Sequence, residues 1–240
     1  EQVIALSPGM SEGVAKTGYP IENIHIIPNS SDISFFQLNK KLKIGLQNKY
    51  KWNVGDKIII YTGTLGEING VEYLVDIANE FIEINNKVKF LIVGDGIEEQ
   101  AIRNKAKIYN CLDNNLFLIN QLPKNKMPGL YNLSTIATSL FIPLKEMEAN
   151  SANKFFDTLA AGKPIVINYG GWQKDLIEKH NIGLVLARDP KVAANELNEL
   201  LLNDELLNTK GKNALALAKS EFSRDKLAQE LIHILESLVS

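Results

Sequence analysis

The chain has 240 residues, 45% hydrophobic and 22% charged, which is enough for one large domain or one and a half with a sizeable core. Its formal net charge of −2 gives no electrostatic argument for nucleic-acid binding. A single cysteine, Cys111, excludes an intrachain disulfide framework and suits a reducing compartment. The histidines lack metal-ligand spacing, and no apolar run reaches the ~18 residues of a membrane span.

Short apolar runs alternate with helical patterns along the chain. Strands are predicted at residues 3–7, 24–28, 57–62, 89–93, 116–119, 136–142, 165–168 and 184–187. Helices are predicted at residues 9–17, 71–85, 98–109, 127–133, 151–161, 173–180, 191–203, 204–220 and 224–238. Because the strands are continuously apolar, they predict an α/β fold with a Rossmann-like, doubly wound parallel sheet and flanking helices.

The chain is predicted to divide into four parts. Residues 1–31 form a β-α-β piece that ends an N-terminal domain, and the polar residues 32–56 form a linker or hinge. Residues 57–220 form the Rossmann-like domain, and residues 221–240 a C-terminal helix whose apolar side needs a partner. Since the chain starts without an initiator Met, we expect a fragment that lacks most of its N-terminal domain.

The stretch 153–164, NKFFDTLAAGKP, predicts a short helix that stops at Gly162, with Pro164 two residues further. Asn150 and Ser151 are expected to cap its N-terminus, where free N–H groups and the helix dipole favour anions. A spacing of about 100° per residue separates two faces. The apolar face holds Phe155, Phe156, Leu159 and Ala160, and the polar face holds Asn153, Lys154 and Asp157.

Three glycine-bearing loops follow predicted strands, where open parallel sheets bind ligands. Loop 63–70 is not a Walker loop, because no Gly-Lys-Ser/Thr closes it, but its glycines allow close approach of a phosphate. Loop 94–96 lacks the third glycine of the dinucleotide fingerprint, which argues against nicotinamide binding. In loop 169–172, Trp172 either stacks on a sugar or packs in the core, and packing is the commoner role.

Each of these signals also has an ordinary structural explanation. The polar helix face is equally typical of a solvated amphipathic helix, and glycine loops are common punctuation. Glu146 and Glu148 follow a strand end and could act as an acid–base pair, although exposed carboxylates are usually only solvated. No G-x-S-x-G nucleophile elbow exists, and Cys111 has no reactive context.

Taken in order, these segments resemble the glycosyltransferase family 4 enzymes of the GT-B fold. Residues 7–13 (SPGMSEG) and 26–32 (IIPNSSD) resemble the end of the N-terminal, acceptor-binding domain. The C-terminal domain is matched by residues 61–66 (YTGTLG), 93–96 (VGDG), 122–123 (LP), 127–131 (MPGLY), 153–164 and the Gly-Gly at 170–171. The resemblance implies two Rossmann-like domains with a nucleotide sugar between them, of which this chain holds the C-terminal, donor-binding half.

The resemblance also implies roles for particular residues. A family glutamate that holds the ribose hydroxyls corresponds to Asp157, and the helix N-terminus with Lys154 would face the diphosphate. The implied nucleotide-binding residues are Gly63, Thr64, Leu65, Gly66, Asn69, Gly94, Leu122, Pro123, Asn150, Ser151, Asn153, Lys154 and Asp157. Family members usually transfer with retention and use no bound metal, so no cofactor is expected beyond the donor substrate.

Two departures from the family pattern concern charge. The family's first glutamate, eight positions before the second, corresponds to Ala149, so the adjacent Glu148 is the candidate catalytic residue. The Arg and Lys of the family's first glycine loop correspond to Thr64 and Asn69. Neutralisation of the diphosphate then falls to Lys154, to backbone N–H groups or to residues outside this chain.

The expected function is that of a bacterial glycosyltransferase that moves a sugar from a UDP-sugar or another nucleotide diphosphate sugar. The acceptor would be a glycan or polyprenyl-linked molecule in surface-polysaccharide synthesis, such as O-antigen or capsule. The enzyme would be cytoplasmic or peripheral on the inner face of the cytoplasmic membrane, and the chain alone would bind nucleotide but transfer little sugar. The alternatives are a GT-B nucleotide-sugar epimerase and a non-catalytic nucleotide-binding domain.

Overall fold

A computed structural model describes residues 1–38 and 45–238. It contains a two-stranded parallel sheet, β1 (Val3–Ala5) and β2 (Ile24–Ile26), and a six-stranded parallel sheet. The strands of the larger sheet are β3 (Lys57–Thr62), β4 (Val88–Val93), β5 (Leu116–Ile119), β6 (Ile136–Ser139), β7 (Ile165–Ile167) and β8 (Gly183–Val185). The α/β fold with a Rossmann-like parallel sheet is therefore confirmed.

Eleven α-helices lie in the described part of the chain. They are α1 (Pro8–Ala15), α2 (Ile33–Leu38), α3 (Leu46–Lys49), α4 (Glu72–Ile84), α5 (Glu99–Ile108), α6 (Met127–Leu133), α7 (Asn153–Ala161), α8 (Trp172–His180), α9 (Pro190–Leu201), α10 (Asp204–Ser220) and α11 (Arg224–Glu236). Short 3₁₀ turns precede or follow several of them. Every predicted strand and helix is present, with ends that differ by up to three residues.

The two faces of the large sheet are both covered, as continuously apolar parallel strands require. Along β3, Ile59 and Tyr61 pack with helices α4 and α9, whereas Ile58 and Ile60 pack on the opposite side with α6. All four side chains are buried because β3 lies in the middle of the sheet.

The strand order of the large sheet is β5-β4-β3-β6-β7-β8. Numbered from its own first strand this is 3-2-1-4-5-6, the doubly wound order in which the chain reverses direction across the sheet between β3 and β6. The crossovers on the two sides of this point run in opposite directions and leave a crevice beyond the carboxyl ends of the strands. The topology therefore specifies where a ligand would lie.

The strand predicted at 136–142 ends at Ser139, and the reason lies in its hydrogen bonds. The backbone N–H of Phe141 donates to the side-chain oxygen of Asn168 (3.0 Å), and that of Ile142 donates to the carbonyl of Ile68 (3.1 Å). These partners lie outside the ladder of the sheet. Residues 140–142 are apolar like the strand itself, so the sequence pattern predicted a strand that is three residues too long.

The segment 32–56, predicted as a linker, contains two short helices that the sequence analysis missed. Phe36 on α2 and Trp52 after α3 are buried and pack with the sheet residues Ile58 and Phe117. Residues 39–44 of this segment lie outside the described residues. The division of the chain into domains stays a prediction.

Residues 29–32 lie beside the start of α11. The N–H of Ser31 donates to the carbonyl of Phe222 (2.7 Å), and its carbonyl accepts from the N–H of Arg224 (3.2 Å). The Arg224 guanidinium also forms a salt bridge with Asp32 at 2.8 Å. Two chain segments that are distant in sequence are thus bonded together at one end of the large sheet.

Candidate functional site

An open cleft of about 740 Å³ lies at the carboxyl ends of β3 and β4, against the N-terminus of α7. The cleft therefore lies beyond the carboxyl ends of the strands, near the point between β3 and β6 where the strand order reverses. In doubly wound sheets, ligands bind at this place. Its wall combines strand-end loops with the first turn of α7. It is lined by Asn29, Ser30, Thr62, Gly63, Thr64, Asn69, Val93, Gln121, Leu122, Lys124, Met127, Phe141, Ala152, Asn153, Lys154, Asp157 and Arg224.

Helix α7 is fixed by its apolar face, as its periodicity predicted. Phe155, Phe156 and Leu159 are fully buried, and the helix ends at Gly162 in the left-handed conformation (φ 67°). The polar face is directed into the cleft, where Asn153, Lys154 and Asp157 lie together. Asn153 is exposed, whereas Lys154 and Asp157 are partly buried, so this face is only partly open to solvent.

The predicted capping of α7 by Asn150 and Ser151 is corrected by the structure. The helix begins two residues later than predicted, with Ala152 at the N-cap and no side-chain cap. Ser151 Oγ instead accepts a hydrogen bond from the backbone of Asn29 (3.2 Å), and Asn150 Oδ1 accepts from Ala152 N (3.1 Å). A contact with residue 29, distant in sequence, competes for the hydroxyl that would otherwise have capped the helix.

Lys154 reaches from the first turn of α7 to the glycine loop. Its Nζ donates to Asn69 Oδ1 (3.0 Å) and to the hydroxyl of Tyr61 (3.2 Å). It also lies 4.7 Å from the ring centre of Tyr61 and 5.3 Å from that of Phe141. Burial lowers the pKa of Lys154 to about 8. No carboxylate of the described residues forms a salt bridge with this ammonium.

Asp157 lies one turn further along α7, and burial raises its pKa to about 6. The charges of Lys124 and Arg224 lower this pKa and that of Asp32 raises it, but desolvation is the largest effect. A partly buried carboxylate without a salt bridge among the described residues is costly for a protein to keep. Such a group is typical of a functional site, where a ligand can supply the missing hydrogen bonds.

The glycine loop after β3 is tightly built. A Cβ on Gly94 would lie 1.9 Å from the carbonyl oxygen of Gly63, so the strand ends of β3 and β4 approach closely only because Gly94 lacks a side chain. Gly63 has φ 141°, a conformation that L-residues rarely adopt, and faces Lys154. Leu65, within the loop, has a fully buried side chain.

The structure brings together seven of the predicted binding residues and places the others around them. Gly63, Thr64, Asn69, Leu122, Asn153, Lys154 and Asp157 line the cleft. Gly66 lines a separate cavity of about 450 Å³, and Leu65, Gly94, Pro123, Asn150 and Ser151 support the wall without lining it. A contact of any of these residues with a ligand stays a prediction.

Glu148, the candidate catalytic residue, does not line the cleft. A Cβ on Gly170 would lie 3.2 Å from Glu148 Oε1, so this carboxylate packs over the Gly-Gly turn. Ala149 packs on α1, because a Cβ on Gly9 would lie 2.8 Å from the Ala149 methyl group. Trp172 packs near Phe156 and Phe222 and donates its indole N–H to the Asn150 carbonyl (2.7 Å).

Sequence reasoning missed two cations in the cleft, Lys124 and Arg224. Lys124 follows Pro123 in the loop that was expected to pack on a base, so proximity in sequence could have suggested it. Arg224 begins α11, more than sixty residues after α7, and no local pattern marks it. The cleft therefore carries three cationic side chains and one carboxylate among its lining residues.

The family model for glycosyl transferases group 1 matches residues 44–216, well over half of the chain. The chain therefore belongs to the group 1 glycosyltransferase family. It is 25% identical over 190 residues to spore coat protein SA of Bacillus subtilis, covering 76% of this chain and 49% of that protein. It is 22% identical over 245 residues to an uncharacterized glycosyltransferase of Methanocaldococcus jannaschii, covering 100% of this chain and 59% of the relative.

Solved structures agree on the fold. The structure of Anabaena HepE in complex with UDP-glucose has a TM-score of 0.80 at 19% identity and covers 98% of this chain and 64% of its own. WaaG, a glycosyltransferase involved in lipopolysaccharide biosynthesis, has a TM-score of 0.76 at 14% identity. The match covers 96% of this chain and 62% of the WaaG chain. The chain thus spans about half to two thirds of the length of these relatives. None of the described helices is long and apolar enough to cross a membrane.

Proposed function

We propose that the chain is the donor-binding part of a glycosyltransferase that takes its sugar from a nucleotide diphosphate sugar, with UDP as the nucleotide. The observation that carries the proposal is the position of the Lys154 ammonium, which is held at the glycine loop inside the cleft at the carboxyl ends of β3 and β4. UDP is chosen because Anabaena HepE, of similar fold, forms complexes with UDP and UDP-glucose.

The chemistry of the cleft fits a nucleoside diphosphate in two ways. Lys154 uses two of its three N–H groups on Asn69 and Tyr61, which leaves one for a phosphate oxygen. Asp157 can accept hydrogen bonds from the two ribose hydroxyls, which would compensate the burial of its charge. Lys124 and Arg224 add positive charge that attracts the diphosphate.

The phosphate role is tested by titrating UDP against Lys154→Met by calorimetry. Loss of a charge-assisted hydrogen bond in a partly buried site should weaken UDP binding at least about ten-fold. Lys107→Met is the matched control, because Lys107 is an exposed lysine on α5 away from the cleft. Equal UDP affinity of the Lys154→Met variant and the wild type would refute the phosphate role.

The ribose role is tested with a nucleotide that lacks the hydroxyl groups. Wild-type protein should bind UDP more tightly than its 2′,3′-dideoxy analogue, by about ten-fold. The Asp157→Ala variant should bind the two nucleotides with similar affinity, because it has no carboxylate to accept hydrogen bonds from the ribose hydroxyls. Discrimination that survives in a folded Asp157→Ala variant would assign the ribose contact to another residue.

For the whole protein we propose transfer with retention to a glycan or lipid-linked acceptor of a cell-surface polysaccharide, without a bound metal. WaaG and a putative colanic acid biosynthesis glycosyl transferase of Escherichia coli, 30% identical over 108 residues (45% of this chain and 26% of that protein), motivate this class of acceptor. UDP binding should be unchanged by a chelator, since Lys154 and the other cations supply the charge. The chain alone should bind the donor and transfer little sugar, because the GT-B cleft needs both domains.

A further inference from the structure

The ammonium of Lys154 reaches the glycine loop from α7, and its acceptors Tyr61 and Asn69 lie 93 and 85 positions earlier in the chain. The glycine loop 63–70 contains no Lys or Arg, and the amine comes instead from α7 on the other side of the cleft. A lysine side chain has many rotamers, and holding it in one of them costs up to about 2 kcal/mol of side-chain entropy. A useful cation therefore needs partners that hold it in place before the ligand arrives.

Tyr61, the second-last residue of the buried strand β3, provides such a partner. Its hydroxyl donates to the carbonyl of Thr64 (2.8 Å) and accepts from Lys154 Nζ (3.2 Å). The hydroxyl has one proton, and its use on Thr64 leaves only the oxygen lone pairs to face the ammonium. Tyr61 thereby joins the glycine loop to the lysine, while its ring lies beneath the amine at 4.7 Å.

The burial of Tyr61 separates positioning from direct contact. Tyr61 is fully buried and is not among the residues that line the cleft. Tyr61 can therefore affect the binding of a ligand in the cleft only indirectly, through Lys154 and the backbone at Thr64. Asn69, the other acceptor, does line the cleft and could contact the ligand itself.

We propose that Tyr61 is a positioning residue for the donor diphosphate: its hydroxyl holds the Lys154 ammonium at the glycine loop and fixes the Thr64 carbonyl away from the ligand. The inference rests on the proposed function, because it assumes that Lys154 contacts the diphosphate. A purely structural tyrosine would contribute to stability and leave the affinity of Lys154 for the ligand unchanged.

A double-mutant cycle with Tyr61→Phe and Lys154→Met tests the inference, with UDP affinity as the readout. The Tyr61→Phe change keeps the ring and removes only the hydroxyl. It should weaken UDP binding about five-fold in the wild-type background, the usual size of one hydrogen bond. In the Lys154→Met background the same change should have no effect on UDP affinity, because the residue through which Tyr61 acts is gone.

Tyr169→Phe is the matched control. Tyr169 is also buried, and its hydroxyl bonds to Ser139 Oγ (3.0 Å) and Gln173 Oε1 (2.5 Å), away from Lys154. This variant should lose stability and keep its UDP affinity. A general effect of a lost buried hydroxyl would appear in both tyrosine variants and would overturn the inference.

The outcomes separate this inference from the proposed function. Unchanged affinity of Tyr61→Phe, or an equal loss in both lysine backgrounds, overturns the positioning role alone. Absence of UDP binding by the wild-type chain overturns the proposed function and the inference with it. A loss of UDP affinity on Tyr61→Phe that occurs only in the background that retains Lys154 supports both.

Discussion

Lys154 combines two properties that oppose each other, a charged end group and a largely dehydrated position. Burial favours the neutral amine, whereas a phosphate would favour the ammonium. The same holds for Asp157, whose burial favours the protonated acid. Both groups have a pKa displaced toward neutrality, to about 8 and about 6. Displaced pKa values in one cleft give the site a measurable dependence on pH.

UDP affinity should fall as the pH rises through about 8, because the nucleotide-free Lys154 loses its proton there. A bound diphosphate raises the pKa of the ammonium again, so binding just above pH 8 should take up a proton. Calorimetry at pH 8.5 in two buffers of different ionisation enthalpy measures this uptake. The Lys154→Met variant should show no uptake, and a wild-type protein without uptake would contradict this account.

Asp157→Asn should stabilise the nucleotide-free protein at neutral pH. The folded-state pKa is raised from 3.8 to about 6, so the wild type loses stability as the pH rises from about 4 to 6. A shift of this size corresponds to at most about 3 kcal/mol. Chemical unfolding of both proteins at pH 4 and pH 7 checks it. The gain should be near zero at the lower pH and present at the higher one, and a gain equal at both values would exclude the carboxylate's charge as its cause.

At the scale of elements, the close approach of the strand ends of β3 and β4 depends on the absence of a side chain at Gly94. Gly94→Ala should lower the free energy of unfolding by more than about 2 kcal/mol, because the added Cβ would meet the Gly63 carbonyl at 1.9 Å and the backbone must move. Gly13→Ala on α1 is the control, since its Cβ would have no neighbour within 4 Å. That variant should be neutral or slightly stabilised. Urea unfolding of the two variants makes the comparison.

Elements with a strong period were predictable, and elements held by distant contacts were not. The pattern of α7 identified both its buried phenylalanines and its polar face, because a 3.6-residue period needs only neighbouring residues. Helix α2 is six residues long, and Phe36 is buried where this helix packs against α6 and α7. The cap of α7 failed as a prediction because Asn29 binds Ser151 from 122 positions away.

The lining of the cleft was predictable to the same degree. Lys154, Asp157 and the glycine loop followed from local pattern and from the resemblance to a family. Arg224 could not be found, because only the folded chain brings the start of α11 to the cleft. The positions of Glu148 and Ala149 likewise depend on packing against Gly171 and Gly9, which are remote in sequence.

At the scale of the whole molecule, α1 of the N-terminal segment packs against the 3₁₀ turn Lys145–Ala149 that precedes α7. The Ser7 hydroxyl donates to the Ala149 carbonyl (2.5 Å), and Gly9 packs directly on Ala149. Gly9→Val should separate α1 from this turn, because its Cβ would lie 2.8 Å from that of Ala149. Trypsin should then cleave at Lys16 several times faster, while thermal unfolding of the large sheet changes little.

The control for this experiment is Gly13→Val in the same helix, whose Cβ would be free of neighbours within 4 Å. It has the same helix-propensity change without the clash. Equal acceleration of cleavage in the two variants would mean that helix propensity, not the contact with Ala149, holds the segment in place.

The contact between Gly9 and Ala149 also makes the history of this chain depend on the order of substitutions. A glutamate at position 149 would place four further heavy atoms beside α1, where a Cβ on Gly9 would already lie 2.8 Å from the Ala149 methyl group. Such a substitution would be tolerated only after α1 had moved, and a side chain at position 9 only while position 149 stays small. The two positions are therefore expected to be epistatic, so that the fitness effect of either change is set by the residue at the other.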